Sequence, residues 1–272
     1  GAVRVIQSGH NGGFGAGNNV GIRAGMADGE PPDFVYLLNS DAFPEPGALV
    51  ALIRALEADP QAGIAGSFIY GDDDVPHETA FRFPTVWSEF EESAATGPIS
   101  RIMSRWRVPL EIPRVTTRVD WLAGASMMIR RDVLDRVGIF DETFFLYFEE
   151  TDLCHRAARA GFATVYVPES RVMHIGSVST GMKSWDQVPE YWFDSRLHYF
   201  TKTHGAVYAV LCSLAHVFGA GLQMLRRPAK RRKDKGQLRR ILAHHRRALG
   251  SGRGRNAAQG RGPVTLRDMK GK

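Results

Sequence analysis

The sequence has only two cysteines, Cys154 and Cys212, among its 272 residues. Two cysteines cannot form the disulfide framework of a small secreted domain, so we expect both to be buried thiols in a reducing compartment. No secretory signal pattern precedes the first apolar run, residues 3–6, and we find no internal repeat. A secreted protein and a repeat array are therefore not expected, and we interpret the start of the chain as a truncation.

Acidic residues are nearly absent from the last part of the chain. Residues 226–272 hold 17 Lys and Arg against two acids, Asp234 and Asp268, which is a local charge of +15. The whole chain has 35 basic and 29 acidic residues, so residues 1–225 keep 18 and 27, a charge of −9. Aromatic residues and nucleic-acid-binding motifs are also absent from residues 226–272, so nucleic acid is not an expected partner. We expect residues 248–272 to be a disordered basic tail.

The first 70 residues alternate between apolar runs of strand length and amphipathic stretches. This alternation predicts an α/β fold with a mostly parallel central sheet flanked by helices. In such sheets, ligands bind at the carboxyl ends of the strands. The predicted strands are 3–6, 34–38, 64–70 and 163–167. The predicted helices are one from Asn18 or Asn19 to about 27, then 49–56, 131–137 and 149–161. Residues 71–118 form a connection in which no element is predicted.

A loop rich in glycine and asparagine, residues 9–19, precedes the first predicted helix. Gly13 and Gly15 fit a dinucleotide fingerprint, but Asn18 occupies the place of its third glycine. No Gly-Lys-Ser/Thr follows either, so the loop is neither that fingerprint nor a Walker loop. A glycine-rich turn before a helix can still hold a phosphate. The alternative is an ordinary tight turn.

Carboxylates occur at two places where chemistry is expected. Asp41 follows a strand buried on both faces, where it suits a Mg²⁺ or Mn²⁺ ion that bridges a diphosphate, although an ordinary turn before Pro44 explains it too. Glu149, Glu150 and Asp152 follow five bulky apolar residues, so mutual repulsion raises at least one pKa and favours a proton acceptor. The alternative is a solvated acidic helix start.

Six segments occur in an order that resembles the family 2 glycosyltransferases, in particular the rhamnosyltransferase-like branch. They are residues 11–19, 38–41, 124–130, 138–142 and 149–153, followed by His174. Taken alone, His174 would be interpreted as a core histidine. The resemblance covers residues 3–205. It implies a GT-A fold and inverting transfer of a sugar from a nucleotide-diphosphate donor.

The resemblance implies a metal site and a base. Asp41 matches the last acid of the family's Asp-x-Asp-type motif, with Asn39 at the place of its first, so Mg²⁺ or Mn²⁺ is the implied cofactor. His174 matches the family histidine that approaches the metal or the diphosphate. Glu150 matches the second member of the family's Glu-Asp pair, which is the implied catalytic base.

The resemblance also implies a nucleotide-sugar site and a sugar and acceptor pocket. Glu149 and Asp152 are the alternatives to Glu150 as the base. The implied nucleotide-sugar-binding residues are Asn11, Gly13, Phe14, Gly17 and Asn18, together with Asn39 and Asp41. The residues matching the sugar and acceptor pocket are Trp121, Gly124 and Ala125.

One departure from the family concerns the beginning of the chain. Family members place a strand and a helix before the glycine loop, and that unit carries a nucleoside-binding aspartate. Here the loop begins nine residues from Gly1. We therefore expect part of the nucleotide pocket to be missing and transferase activity to be weak or absent.

Formal charge is missing from residues 203–225, a stretch nearly long enough to span a bilayer. Basic residues follow it, and a body that uses nucleotide sugars precedes it, so both flanks belong in the cytoplasm and a single crossing is not expected. We predict that residues 205–247 form a helical segment that lies in or re-enters the membrane interface and touches anionic lipid. A buried helix covering the sheet is the alternative.

The leading hypothesis is a metal-assisted glycosyltransferase, residues 1–204, on the inner face of the cell membrane. It moves a sugar from a TDP- or UDP-linked donor to a cell-envelope or lipid-linked glycan acceptor. Branch resemblance indicates L-rhamnose as that sugar, and galactofuranose or another hexose is the alternative. The alternative is a catalytically inactive, glycosyltransferase-like interaction module attached to the membrane. A nucleotidyltransferase is a third interpretation, but it would not need the acidic pair.

Overall fold

The computed structural model describes residues 3–26, 29–94, 97–176 and 188–226, together with Ile241 and Ala243. The helices in these ranges are α1 Gly13–Ala24, α2 Ala48–Ala58, α3 Val86–Ala94, α4 Gly97–Ile102, α5 Arg131–Val137, α6 Glu149–Arg159, α7 Glu190–His204 and α8 Ala206–Arg226. The strands are β1 Phe34–Leu38, β2 Ala42–Pro44, β3 Ala62–Tyr70, β4 Ala80–Phe81, β5 Thr117–Val119, β6 Trp121–Leu122, β7 Ser126–Arg130 and β8 Ala163–His174. A short 3₁₀ helix covers Ser104–Trp106.

The described residues divide into two compact units. The first contains residues 3–81 and 109–176, and the second contains residues 82–108 and 188–226. This division differs from the predicted boundary after residue 204, because α7 and α8 both belong to the second unit with α3. The predicted disordered tail, residues 248–272, lies outside the described residues.

The first unit is built on a six-stranded mixed sheet. Its main order is β1-β7-β3-β8-β2, and β5 also pairs with β8. Only the β3–β8 pair is parallel among the described pairs, since β7 runs antiparallel to both β1 and β3, and β2 and β5 run antiparallel to β8. The carboxyl ends of β1, β3 and β8 therefore lie at the same edge of the sheet as the start of β7.

The prediction of an α/β fold is confirmed, but the prediction of a mostly parallel sheet is wrong. It assumed that β1 and β3 are neighbours joined by α2. Instead, β7 lies between them, and four of its five residues are buried. A continuous apolar run shows that a strand is buried on both faces and says nothing about its direction.

Most of the predicted elements are present, with three differences. Residues 3–6 form no strand, and Val3 and Val5 are exposed. Helix α1 begins at Gly13, so residues 13–19 of the glycine-rich stretch form the start of the helix and Asn18 does not cap it. The strand predicted to stop before Pro168 continues as β8 to His174, because a bulge shifts its register against β3 after Val167.

The core of the first unit lies between α2 and one face of the sheet. Leu52 and Leu56 of α2 pack with Ala65 of β3, Met128 of β7 and Val165 of β8. Spaced four apart, the two leucines share one helix face, which the apolar pattern of residues 49–56 predicts. This packing holds the strands whose ends carry the candidate site.

The second unit is helical and contains a buried ion cluster. In it, α3 packs against α8, and α7 packs against α8. Nη2 of Arg196 lies 2.8 Å from Oε2 of Glu89, and Nδ1 of His216 lies 3.0 Å from the same oxygen. Burial alone would raise the pKa of Glu89, but the charge of Arg196 and the hydrogen bond and charge of His216 lower it to about 2. The cluster ties α3, α7 and α8 together.

Both cysteines are free and buried, as predicted. Burial raises the pKa of each thiol to about 12, so neither is a reactive thiolate.

Among the described residues, one helix has the length and apolar composition of a membrane span. It covers Ala206–Leu225, and about a third of its most apolar window is buried in the protein. Core helices of soluble proteins have the same length and apolar composition.

Candidate active site

Asp41 and His174 meet because β2 pairs with β8. Ala42 stands opposite His174 in that pair, and the backbone N–H of Ile175 donates to the carbonyl of Asp41. Oδ1 of Asp41 therefore lies 3.1 Å from Nε2 of His174, and both side chains are mostly buried. Asn39 joins the pair, with Nδ2 3.3 Å from the same ring nitrogen. The structure thus brings together the three residues that the resemblance assigns to the metal and diphosphate.

The geometry of this pair fits a divalent cation. In an octahedral Mg²⁺ or Mn²⁺ site, each ligand atom lies about 2.1 Å from the ion. Two neighbouring ligand atoms at right angles therefore lie about 3 Å from each other. The 3.1 Å between Oδ1 of Asp41 and Nε2 of His174 matches that spacing. No group of three or more His, Cys, Asp or Glu side chains that could hold a metal occurs within the described ranges. One or two protein ligands suffice when substrate phosphates complete the shell, so the metal role of Asp41 and His174 stays a prediction that the geometry allows.

Glu149 and Glu150 begin helix α6 after an unusual turn. Tyr147 and Phe148 both have positive φ, +70° and +69°. Bulky residues rarely adopt this left-handed conformation, and each costs about 1–3 kcal/mol. Such strain persists only where surrounding contacts hold it, and here it sets the direction in which the two glutamates leave the chain.

The two glutamates have different environments. Glu149 is 1% exposed, and its Oε2 has no hydrogen-bond partner among the described residues. Burial, together with the charge of Glu150, raises the pKa of Glu149 well above its ordinary value. An ionised carboxylate with an unpartnered buried oxygen is costly, so the burial of Glu149 favours its neutral form.

Glu150 is half-buried and held by the backbone. Its Oε1 accepts a hydrogen bond from the N–H of Gly124 at 3.1 Å. Burial raises the pKa of Glu150, and the backbone hydrogen bonds partly oppose that rise. A raised pKa and a fixed carboxylate are what a general base near neutral pH requires.

Asp152, the third acid, is engaged elsewhere. Its Oδ2 lies 2.8 Å from Nε of Arg156, which also donates to the carbonyls of Val137, Gly138 and Ile139. The carboxylate therefore orients an arginine that fixes residues 137–139. This engagement favours Glu150 over Asp152 as the candidate base.

Gly124 and Ala125 connect the two halves of the site. The N–H of Asn39 donates to the carbonyl of Ala125 at 3.0 Å, while the N–H of Gly124 donates to Glu150. Leu38 pairs with Ser126, which places this segment at the carboxyl end of β1. Asp41, His174 and Glu150 therefore lie at the same edge of the sheet, and their chemical roles stay predictions.

The glycine-rich stretch lies beside the glutamates. A Cβ on Gly13 would stand 1.7 Å from the carbonyl oxygen of Phe145, and the N–H of Phe14 donates to that oxygen at 3.1 Å. The ring of Phe14 packs against Gly124. The stretch thus contacts both the turn before Glu149 and the segment that holds Glu150.

Asn11 and Asn18 of that stretch mainly serve their own helix. Oδ1 of Asn11 accepts from the N–H of Gly13, and Nδ2 of Asn18 donates to the carbonyl of Phe14. Gly17 is exposed, and a Cβ there would meet nothing within 4 Å. Their assignment to nucleotide-sugar binding stays a prediction.

Two features of the site were not predicted from the sequence. Asn19 is fully buried: its Nδ2 donates to the carbonyl of Phe140, and its Oδ1 accepts from the N–H of the same residue. Phe81 stacks on Trp121, with ring centroids 4.1 Å apart and planes 18° apart. No local signal marks either contact, since each joins distant segments. The stacked pair gives Trp121, a predicted pocket residue, a fixed ring plane.

Similarity to known proteins shows the family of this chain. The sequence profile of the family described as Glycosyltransferase like family 2 matches residues 1–193. The N-acetylglucosaminyl-diphospho-decaprenol L-rhamnosyltransferase of Mycobacterium tuberculosis is 34% identical over 189 residues, which are 66% of this chain and 61% of that protein. Rhamnosyltransferase WbbL of Escherichia coli is 30% identical over 164 residues, 60% of each chain. The chain thus spans about three fifths of the curated relatives it matches.

Solved structures of two glycosyltransferases show a distant likeness. A crystal structure of GalNAc-T7 with UDP, GalNAc and Mn²⁺ has a TM-score of 0.46 at 13% identity, over 70% of this chain and 36% of that one. The mannosyltransferase PcManGT of Pyrobaculum calidifontis, in complex with GDP-Man and Mn²⁺, has a TM-score of 0.44 at 14% identity, over 88% and 60%. The family profile covers well over half of the chain, in agreement with the motif order and the α/β sheet. The chain belongs to the family described as Glycosyltransferase like family 2.

Proposed function

We propose that the protein transfers a sugar, L-rhamnose, from a nucleotide-diphosphate donor to a lipid-linked glycan acceptor, with inversion at the anomeric carbon. The observation that carries this proposal is the convergence of Asp41, His174 and Glu150 at one edge of the sheet. The names of the relatives support the sugar and the acceptor class, since the Mycobacterium tuberculosis enzyme is an L-rhamnosyltransferase named for a diphospho-decaprenol-linked substrate. The site of action proposed is the cytoplasmic face of the cell membrane.

The proposed reaction is a single displacement. The acceptor hydroxyl oxygen bonds to the anomeric carbon, the bond from that carbon to the donor diphosphate breaks, and the hydroxyl proton passes to Glu150. The hydrogen bond from Gly124 to Oε1 holds the Glu150 carboxylate in place for this proton transfer. Attack from the face opposite the leaving group inverts the configuration.

The other residues position the donor and set the charge of the base. Asp41, His174 and Asn39 would hold Mg²⁺ or Mn²⁺ against the diphosphate, where the cation offsets the negative charge of the leaving group. The burial of Glu149 raises its pKa and so disfavours a second negative charge beside Glu150. Phe14, packed on Gly124, shields the base from water on one side.

The donor half of the proposal is tested by thermal unfolding with nucleoside diphosphates. TDP or UDP with Mn²⁺ should raise the melting temperature, neither component alone should match that rise, and Asp41→Ala should abolish it. Asp72→Ala is the matched control, because Asp72 is an exposed turn acid of the same unit. No rise in the unchanged protein would instead favour the alternative, an inactive glycosyltransferase-like membrane module.

The sugar-transfer half of the proposal is tested by carrying out the reaction itself. Incubation with TDP-rhamnose and a polyprenyl-diphosphate-linked N-acetylglucosamine should give a product one deoxyhexose heavier. Its linkage, read by NMR, should have the anomeric configuration opposite to that of the donor. Retention of configuration would refute the single displacement.

A further inference from the structure

Helix α8 has two faces of opposite character. One face is buried in the second unit and carries mainly small and polar residues, namely Ala209, Cys212, Ser213, His216 and Ala220. The other face is exposed and apolar: Val207 is 77% exposed, Leu211 48%, Leu214 54%, Phe218 70% and Leu225 84%. The spacing of three, four or seven residues puts these five side chains in one stripe along the helix. We call them the α8 stripe.

The buried face is fixed by charged partners. Oγ of Ser213 accepts from Nη1 of Arg196 at 3.0 Å, and Nδ1 of His216 lies 3.0 Å from Oε2 of Glu89. Lipid therefore cannot surround α8 without taking the Arg196–Glu89 pair of α7 and α3 into the hydrocarbon. Charged groups at that depth are costly, so a single crossing by α8 is disfavoured.

The α8 stripe continues onto α3 through aromatic residues. The ring of Phe90 stacks on Phe218, with centroids 5.9 Å apart. Trp87 lies three residues before Phe90 and is 57% exposed. Tryptophan is enriched where a protein meets the headgroup region of a membrane, because its ring is apolar and its N–H is polar.

The sequence that follows the stripe supplies a complementary charge. Residues 226–240 contain nine Lys and Arg and one acid, Asp234. A dense positive charge directly after an exposed apolar helix face fits a surface that is apolar inside and anionic outside. A second copy of this chain carries the same positive charge in its sequence, which disfavours a homodimer.

We propose that the α8 stripe, with Trp87, docks on an anionic lipid bilayer, with α8 lying in the plane of the interface and not crossing it. The stripe runs from Val207 to Leu225, nearly the full helix, so all of it can enter the interface only if the helix axis is parallel to the membrane. This inference goes beyond the proposed transfer reaction, since it rests on none of the candidate catalytic residues.

Vesicle sedimentation with the full chain tests the proposal. The protein should pellet with vesicles of phosphatidylcholine and about one third phosphatidylglycerol, should bind phosphatidylcholine alone at least about tenfold more weakly, and should be released by salt. Leu214→Glu with Phe218→Glu should lower binding at least about tenfold. Val75→Glu with Val115→Glu is the matched control, because both valines are exposed residues of the first unit.

The outcomes separate this proposal from its rivals. Failure of the folded protein to bind anionic vesicles, or equal binding by the Leu214/Phe218 variant, would overturn it. Resistance to alkaline carbonate extraction would overturn it too, because a span resists extraction and a peripheral helix does not. A concentration-dependent dimer lost in the same variant, without vesicle binding, would assign the stripe to a second copy. Thermal stabilisation by TDP and Mn²⁺, measured on the same samples, shows independently whether the donor site is intact.

Discussion

The backbone N–H of Gly124 donates to Oε1 of Glu150 at 3.1 Å, and any side chain at position 124 would have to displace Glu150 or Phe14. A Cβ there would stand 2.7 Å from Oε1 of Glu150 and 2.6 Å from Cζ of Phe14. The glycine therefore allows the close approach that fixes the proposed base.

Gly124→Ala should lower kcat/KM about 100-fold with little loss of folding stability. The added methyl group must displace Glu150 or Phe14, and a misplacement of about 1 Å in a catalytic group has an effect of that size. Steady-state kinetics and thermal melting measure the two quantities. Gly21→Ala in helix α1 is the control, because its Cβ would meet nothing within 4 Å; it should raise stability by about 0.5–1 kcal/mol and leave kcat/KM unchanged.

Glu150→Gln and Glu149→Gln should separate the two glutamates. Loss of a general base should lower kcat by about 10²–10⁴, so Glu150→Gln should be nearly inactive. Burial favours the neutral form of Glu149, so its amide should keep most of the activity. Comparable losses in both variants would contradict this division, as would full activity in Glu150→Gln.

The pH dependence follows from the same pair. The base must be ionised, and burial raises the pKa of Glu150 above that of an ordinary glutamate. Activity should therefore fall on acidification at a higher pH than an ordinary glutamate would give. Because burial, and not the charge of Glu149, raises the pKa of Glu150, Glu149→Gln should leave that limb of the kcat/KM profile in place, as should Asp72→Asn.

Local patterns predicted the elements that carry the candidate site more reliably than their pairing. The apolar run of β1, the leucine spacing of α2 and the acidic start of α6 each identify an element from its own residues. The contact of Asp41 with His174 needs β2 to pair with β8, and the two residues are 133 positions apart. Only the family resemblance indicated it.

The direction of the strands and the backbone strain before α6 could not be predicted from the sequence, for physical reasons. A strand such as β7, buried on both faces, has the same apolar pattern whether it runs parallel or antiparallel to its neighbours. Tyr147 and Phe148 adopt positive φ against their own preference, because tertiary contacts impose it. The glycine-rich stretch suggested a loop, yet contact with Phe145 makes it the first turn of α1.

Glu89→Gln should destabilise the second unit. It leaves Arg196 buried without its counter-charge, and breaking one partner of a buried pair costs about 3–5 kcal/mol. Denaturant unfolding monitored by fluorescence measures the loss. Glu57→Gln, in an exposed part of α2, should change stability by less than about 0.5 kcal/mol.

The same cluster makes stability depend on pH in a defined direction. The pKa of Glu89 is lowered to about 2 in the folded protein, from 4.5 as the ordinary value. Its contribution is therefore fully present above about pH 4.5 and is lost as the pH falls toward 2. Glu89→Gln should flatten the stability profile across that window, and an unchanged slope would contradict the assignment.

Asp152→Asn should show that Asp152 has a structural role, in contrast to Glu150, the proposed catalytic base. The change removes the charge that Arg156 contacts at 2.8 Å, and that arginine holds the carbonyls of residues 137–139. Loss of a buried charged hydrogen bond predicts a destabilisation of about 1.5–3 kcal/mol, measured by denaturant unfolding. Asp135→Asn is the matched control, because Asp135 pairs with Arg131 at the same spacing but is more exposed; a destabilisation of about 0.5 kcal/mol is expected there.

At a temperature where both variants are folded, Asp152→Asn should retain far more kcat than Glu150→Gln. Equal losses would make Asp152 the better candidate for the base.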